Sequence, residues 1–227
     1  MNASPIIAVT MGDPAGIGPE IVAKAWKRLG HGMRLVCIGD LSVLSNTCLQ
    51  LFDEACVRPV QTIAEARYEP DVLDVLDLHN VDLHRLVVGQ NQAAAGHAAY
   101  EYIVAALDLA VSAQVDAIVT APISKEAMIS AGHHYHGHTE IIAERTKSRV
   151  TMMLVSGDFR VSHVSTHLSL KDAISKCEKA RVLEVIELTN QATMRLGVDK
   201  PRIGVAGLNP HASEGGIFGD EELREIQ

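Results

Sequence analysis

The sequence predicts an α/β protein built on a parallel sheet with crossover helices. Two observations carry this reading. Short β-branched runs alternate with longer segments of helical period, and the loops richest in Gly, Pro and His follow predicted strands, where parallel sheets keep their chemistry. With 47% hydrophobic and 21% charged residues among 227, the chain can bury a substantial core.

Ile6 to Met11 is an apolar run short enough for a buried strand. Pro19 to Leu29 follows as a helix, with Ile21, Val22, Ala25, Trp26 and Leu29 expected on its inner face and Gly30 as its stop signal. Arg34 to Ile38 and Leu73 to Leu78 are the next two strands. Ala93 to Ser112 is a long Ala-rich helix, and Ala117 to Thr120 a strand. Helices are expected around Lys125 to Ala131 and Glu140 to Arg145, flanking a His-rich loop. Thr151 to Val155 and Phe159 to Val164 are expected strands. Ser169 caps a helix, Arg181 to Leu196 forms a long one, and Arg202 to Leu208 is the last expected strand.

The formal charge of -8 and the lack of a basic run argue against a nucleic-acid partner. No apolar stretch approaches the roughly 18 residues of a membrane span, and Met-Asn-Ala-Ser-Pro lacks the lead of a signal peptide, so a cytoplasmic enzyme with no membrane partner is expected. Cys37, Cys48, Cys56 and Cys177 show no Cys-x-x-Cys spacing and are expected to be reduced.

Four loops carry candidate chemistry. Gly12 to Glu20 is a strand-to-helix turn with three glycines and two prolines. It is either an anion-binding backbone or a tight structural turn, because neither the dinucleotide-binding spacing nor a P-loop is present. Ala121 to Lys125 follows a strand, and Lys125 is a candidate for binding phosphate or transferring a proton, with a solvated lysine as the rival reading. Gly132 to Glu140 holds four histidines in six positions. His138 and Thr139 stand out there because they open a helix, where side chains and amides can face an anion together. His167, past a predicted strand, and His211, in Asn209-Pro210-His211, form a partial metal site, since a catalytic divalent ion needs about three protein ligands. His163 is expected to be packed, and no His-Glu-x-x-His is present to support a metalloprotease.

Gly-Asp-Pro-Ala-Gly-Ile-Gly-Pro-Glu (12 to 20), Gly-His-Thr-Glu (137 to 140), Thr-His-Leu (166 to 168) and Gly-Leu-Asn-Pro-His-Ala (207 to 212), in that order, resemble the 4-hydroxythreonine-4-phosphate dehydrogenase family of vitamin B6 biosynthesis. The resemblance runs over essentially the whole chain. It implies substrate contacts from His138 and Thr139 and a divalent metal (Zn, Mg or Co) on His167 and His211. It further implies NAD or NADP as hydride acceptor, and a homodimer with a shared active site. The glycine loop is also similar to that of isocitrate and isopropylmalate dehydrogenases. This implies two α/β/α domains around a cleft, residues 1–122 in the first and 123–227 in the second. The family continues past Gln227, where its third metal-binding His is expected, so this stretch is expected to hold an incomplete site, either as a fragment of a longer product or as a chain not active alone.

The implied activity is oxidation, with decarboxylation, of 4-hydroxythreonine 4-phosphate. A close alternative is the paralogous branch acting on threonate or erythronate 4-phosphate, which Phe218-Gly219-Asp220-Glu221-Glu222 also resembles. The related dihydrodiol dehydrogenases are a third possibility, against which Gly-His-Thr-Glu argues. From another class, a non-catalytic binding or assembly module on the same scaffold remains open.

Overall fold

Five parallel strands lie in the order β3-β4-β2-β1-β5. They are β1 (Ile6–Thr10), β2 (Arg34–Gly39), β3 (Val57–Val60), β4 (Leu73–Asp77) and β5 (Ala117–Thr120). The structure, a computed structural model, describes residues 4–29, 32–54, 56–135 and 137–227, so the stop signal Gly30 and one loop histidine, His136, lie outside the described residues. The chain divides into two compact units, Met1–Ser148 and Arg149–Gln227.

The first unit holds the sheet. Its core packs Ala8, Val36, Ile38 and Val75 of the strands against Val22 and Trp26 of α1 (Gly18–Leu29), Leu44 and Cys48 of α2 (Leu41–Phe52), and Ala98, Tyr102 and Ala106 of α3 (Ala93–Val111). β1 joins β2 on one side and β5 on the other, with Val9 opposite both Cys37 and Val119. The chain first winds away from β1 through β2, then returns to place β5 on the opposite flank. The crevice outside the carboxyl ends of β1 and β5 is therefore the point where strand order reverses.

The inner face of α1 differs from expectation. Gly18, Pro19, Val22, Ala23 and Trp26 are buried, whereas Ile21, Ala25 and Leu29 are exposed. Both stripes are apolar, so periodicity alone could not choose between them. The rotation is set at the first residue, because a Cβ on Gly18 would lie 2.2 Å from the Met11 carbonyl oxygen.

Helix α2 and strand β3 were not expected from the sequence. Asp40 caps α2 by accepting from the amides of Ser42 and Val43 at 2.9 and 3.1 Å. Helices α4 (Lys125–Ser130) and α5 (His138–Thr146) pack on α3 within the first unit, although the sequence reading grouped them with the second domain.

In the second unit, β6 (Met153–Ser156) and β7 (Phe159–Ser162) form an antiparallel hairpin, separate from the parallel sheet. Ser169 caps α6 (Leu170–Ser175) as expected, and α7 (Lys179–Arg195) is the long helix. Residues 202–208 form no strand. Their β-branched pattern needs a neighbour to pair with, and no ladder is made there among the described residues. Cys37, Cys48, Cys56 and Cys177 are all free thiols. No helix among the described residues is long and apolar enough to cross a membrane.

Candidate functional site

The glycine loop leaves β1 at Thr10 and is drawn onto the end of β5. The Asp13 N–H donates to the Pro122 carbonyl at 3.0 Å, and Ala121 N–H donates to the Thr10 carbonyl at 3.2 Å. Gly12 adopts φ +76°, and a Cβ there would meet the Pro122 oxygen at 2.4 Å. Together with Gly18, it serves the tight packing of the loop on its own chain, so the structural-turn reading holds for these two glycines. Asp13 itself is buried, with Oδ1 accepting from the Ala15 amide at 2.8 Å. Burial pushes its carboxyl pKa up, against the opposing hydrogen bonds from the Ala15 and Gly16 amides.

His138 opens α5 behind Gly137, which has no side chain to cap with, so among the described residues the helix start has no side-chain cap. The ring is half-buried beside Ala121. Burial lowers its pKa from the ordinary 6.5, while a hydrogen bond to the Ala121 backbone opposes that shift. Its Nε2 is buried and finds no hydrogen-bond partner among the described residues, as do Oε2 of Glu140 and Oγ1 of Thr10. Orphaned buried polar atoms are uncommon and ask for a ligand, a water or a function. Thr139, the second residue of α5, is half-buried. Lys125 is exposed at the first position of α4, behind the Ser124 cap, and forms no ion pair among the described residues. In sequence, the orphaned Thr10 and Glu140 carried no signal beyond their places at a strand end and a helix start.

In the second unit, His167 and His211 are exposed on left-handed backbone, φ 59° and 54°. His211 heads a turn whose next three residues, Ala212, Ser213 and Glu214, share that conformation at φ 49°, 68° and 43°. Each such non-glycine residue costs roughly 1–2 kcal/mol, so the turn persists only if its surroundings hold it. The Phe218 ring lies 6.0 Å from the His211 ring. Hydrogen bonds from Ser213 first, and then from the Asn209 amide, hold the Glu222 carboxyl down at about 2. Reading the sequence named Glu222 within a motif and gave it no role of its own. Its signal is a carboxylate shortly after a Pro-His-Ala-Ser turn, visible only once the turn is known to fold back.

Two imidazoles suit a borderline divalent ion such as zinc or cobalt better than magnesium, which prefers oxygen ligands. Among the described residues, the only group of three or more candidate ligands drawn together is Asp40, Asp77 and His79, with ligand atoms within 4.8 Å of one another. Both aspartates there have structural duties. Asp40 caps α2 and accepts from the Val81 amide at 3.1 Å, and Asp77 Oδ1 accepts from the amides of Leu41 and His79, each at 3.0 Å.

Comparison with known proteins places these features in context. The family profile described as pyridoxal phosphate biosynthetic protein PdxA matches residues 31–227. The 4-hydroxythreonine-4-phosphate dehydrogenase of Beijerinckia indica subsp. indica is 45% identical over 221 residues, covering 97% of this chain and 65% of the relative. The D-threonate 4-phosphate dehydrogenase of Salmonella typhimurium is 44% identical over 221 residues, covering 96% and 68%. The crystal structure of a 4-hydroxythreonine-4-phosphate dehydrogenase from Burkholderia phymatum superposes with a TM-score of 0.86 at 43% identity, covering 99% of this chain and 69% of that one. The chain thus spans about two thirds of the length of the relatives it matches.

Proposed function

The chain belongs to the PdxA family of pyridoxal phosphate biosynthetic proteins, and from that membership we propose that it forms part of an NAD-linked, divalent-metal-dependent dehydrogenase of a 4-phosphorylated four-carbon hydroxy acid. The single observation that best supports this reading is His138. Among the described residues its buried Nε2 lacks a partner, at the head of a helix whose first amides no described side chain caps, beside the crevice where strand order reverses. A neutral imidazole there can accept a hydrogen bond from a substrate hydroxyl or ammonium, and Thr139 and the open amides can hold an anionic group.

In this reading His167 and His211 hold the metal, together with a ligand outside this chain. When bound, the ion lowers the pKa of the substrate hydroxyl and polarises the resulting ketone. A bound NAD would supply the acceptor for the hydride lost from the carbinol carbon, with the hydroxyl proton released to solvent or a base. No residue of this chain is assigned to the nucleotide. Oxidation of the C3 hydroxyl, on the carbon β to the carboxylate, gives a β-keto acid, which loses carbon dioxide. Lys125, exposed on α4, is retained as a candidate for phosphate binding or proton transfer. The wider proposal is a cytoplasmic homodimer with shared sites, each subunit having two α/β domains around a cleft in the manner of isocitrate and isopropylmalate dehydrogenases.

The first substrate reading is 4-hydroxythreonine 4-phosphate. D-threonate 4-phosphate is the second, supported by the Salmonella typhimurium relative's name and its 44% identity. The two differ at C2, amino against hydroxyl. NAD reduction measured with each acid, with and without added Zn2+, Co2+ or Mg2+, separates them. Turnover that survives chelation, or that His211→Ala leaves intact, removes the metal role from this reading.

A further inference from the structure

The turn carrying His211 is clamped from one side by a single buried carboxylate. Glu222 is only 3% exposed. Its Oε1 accepts from the Asn209 backbone N–H at 2.5 Å, and its Oε2 from Asn209 Nδ2 at 3.0 Å and from the Ser213 hydroxyl. Asn209 and Ser213 are each two residues from His211, so the chain on either side of the imidazole is tied to one group. Neighbouring contacts reinforce the arrangement. Asn209 Nδ2 also donates to Glu221 at 2.8 Å, and the Phe218 N–H donates to the Ser213 carbonyl at 3.2 Å, folding the Phe218 ring back toward the imidazole.

We propose that Glu222 is a positioning residue for His211, locking the left-handed turn so that the imidazole is presented in one orientation. The inference rests on the reading of His211 as a metal ligand. A carboxylate suits this task because it is acceptor-only and takes three donors at once, without rearrangement and without a proton of its own. Gln at this position would place an NH2 group against one of those donors, and Ala would leave Asn209 and Ser213 with nothing to hold. Residues that orient a metal-binding imidazole typically change affinity by about ten- to a hundredfold when removed.

The test uses the full chain, Co2+ as the probe ion followed by visible absorption, and amide hydrogen exchange across residues 209–219. In Glu222→Ala, exchange in this segment is expected to accelerate at least about tenfold while α7 is unchanged, and Co2+ is expected to bind about ten- to a hundredfold more weakly. Glu222→Gln is expected to fall between Ala and the parent protein. Ser213→Ala removes one donor and leaves the carboxylate, so it provides a milder version should Glu222→Ala fail to fold. Loop exchange at the parent rate overturns the proposal, as does faster exchange with unchanged Co2+ affinity. His211→Ala is the control for the underlying reading. Undiminished Co2+ binding there means the ligand assignment itself has failed, whereas lost binding there with an unaffected Glu222→Ala means that only the positioning role has.

Discussion

The Asp13 amide and the Pro122 carbonyl, 3.0 Å apart, tie the glycine loop after β1 to the loop after β5. Thr10 at the end of β1 and Ala121, on which His138 leans, are thereby held at one edge of the reversal crevice. Disturbing this tie is expected to affect stability and the site together.

Gly12→Ala tests the tie directly. The added methyl would meet the Pro122 oxygen at 2.4 Å on a backbone at φ +76°. A loss of about 1–3 kcal/mol is expected in denaturant unfolding. A variant as stable as the parent would show that the loop can part from Pro122 freely.

Asp13→Asn is expected to be tolerated, because the amide oxygen can still accept from Ala15. The folded-state carboxyl pKa is raised above 3.8, so the folded state binds more protons than the unfolded one just above that pH. The stability linked to this carboxyl therefore declines as pH rises through that window and then levels. The Asn variant is expected to lose that part of the profile, which thermal melts across the acidic range would register.

For His138 the sign is the reverse. Burial lowers its pKa below 6.5, so the unfolded state takes up a proton first as the solution is acidified. Stability is complete above about 6.5 and is lost as pH falls below it. His138→Gln is expected to flatten that part of the curve and, under the proposed function, to reduce kcat/KM by about a hundredfold. An acid limb of the same steepness in the variant would show that other groups produce it.

Leu44→Ala probes α2, the helix not expected from the sequence. Leu44 is fully buried against the sheet. Truncation is expected to cost about 2–5 kcal/mol, read as a lower midpoint of urea unfolding with an unchanged slope.

The sequence reading located the helices of residues 93–111 and 179–195 and the strands β1, β2, β4 and β5 closely, because these segments are long, strongly periodic or bounded by clear turn signals. It overlooked α2, whose start signal is the single side chain of Asp40, and β3, which contains Pro59 and is only four residues long. It expected a strand at 202–208 because β-branched composition is visible in one dimension and a pairing partner is not.

From residue order alone came the α/β class, the candidate loops and the singling out of His138, Thr139, His167 and His211, because local period and motif spacing are properties of the chain itself. Only the tertiary structure decided which stripe of α1 faces the sheet, where strand order reverses, that His138 keeps a nitrogen orphaned among the described residues, and that Glu222 holds the chain on either side of His211. These depend on atoms that meet in space but are separated along the chain, where sterics and desolvation leave no local trace.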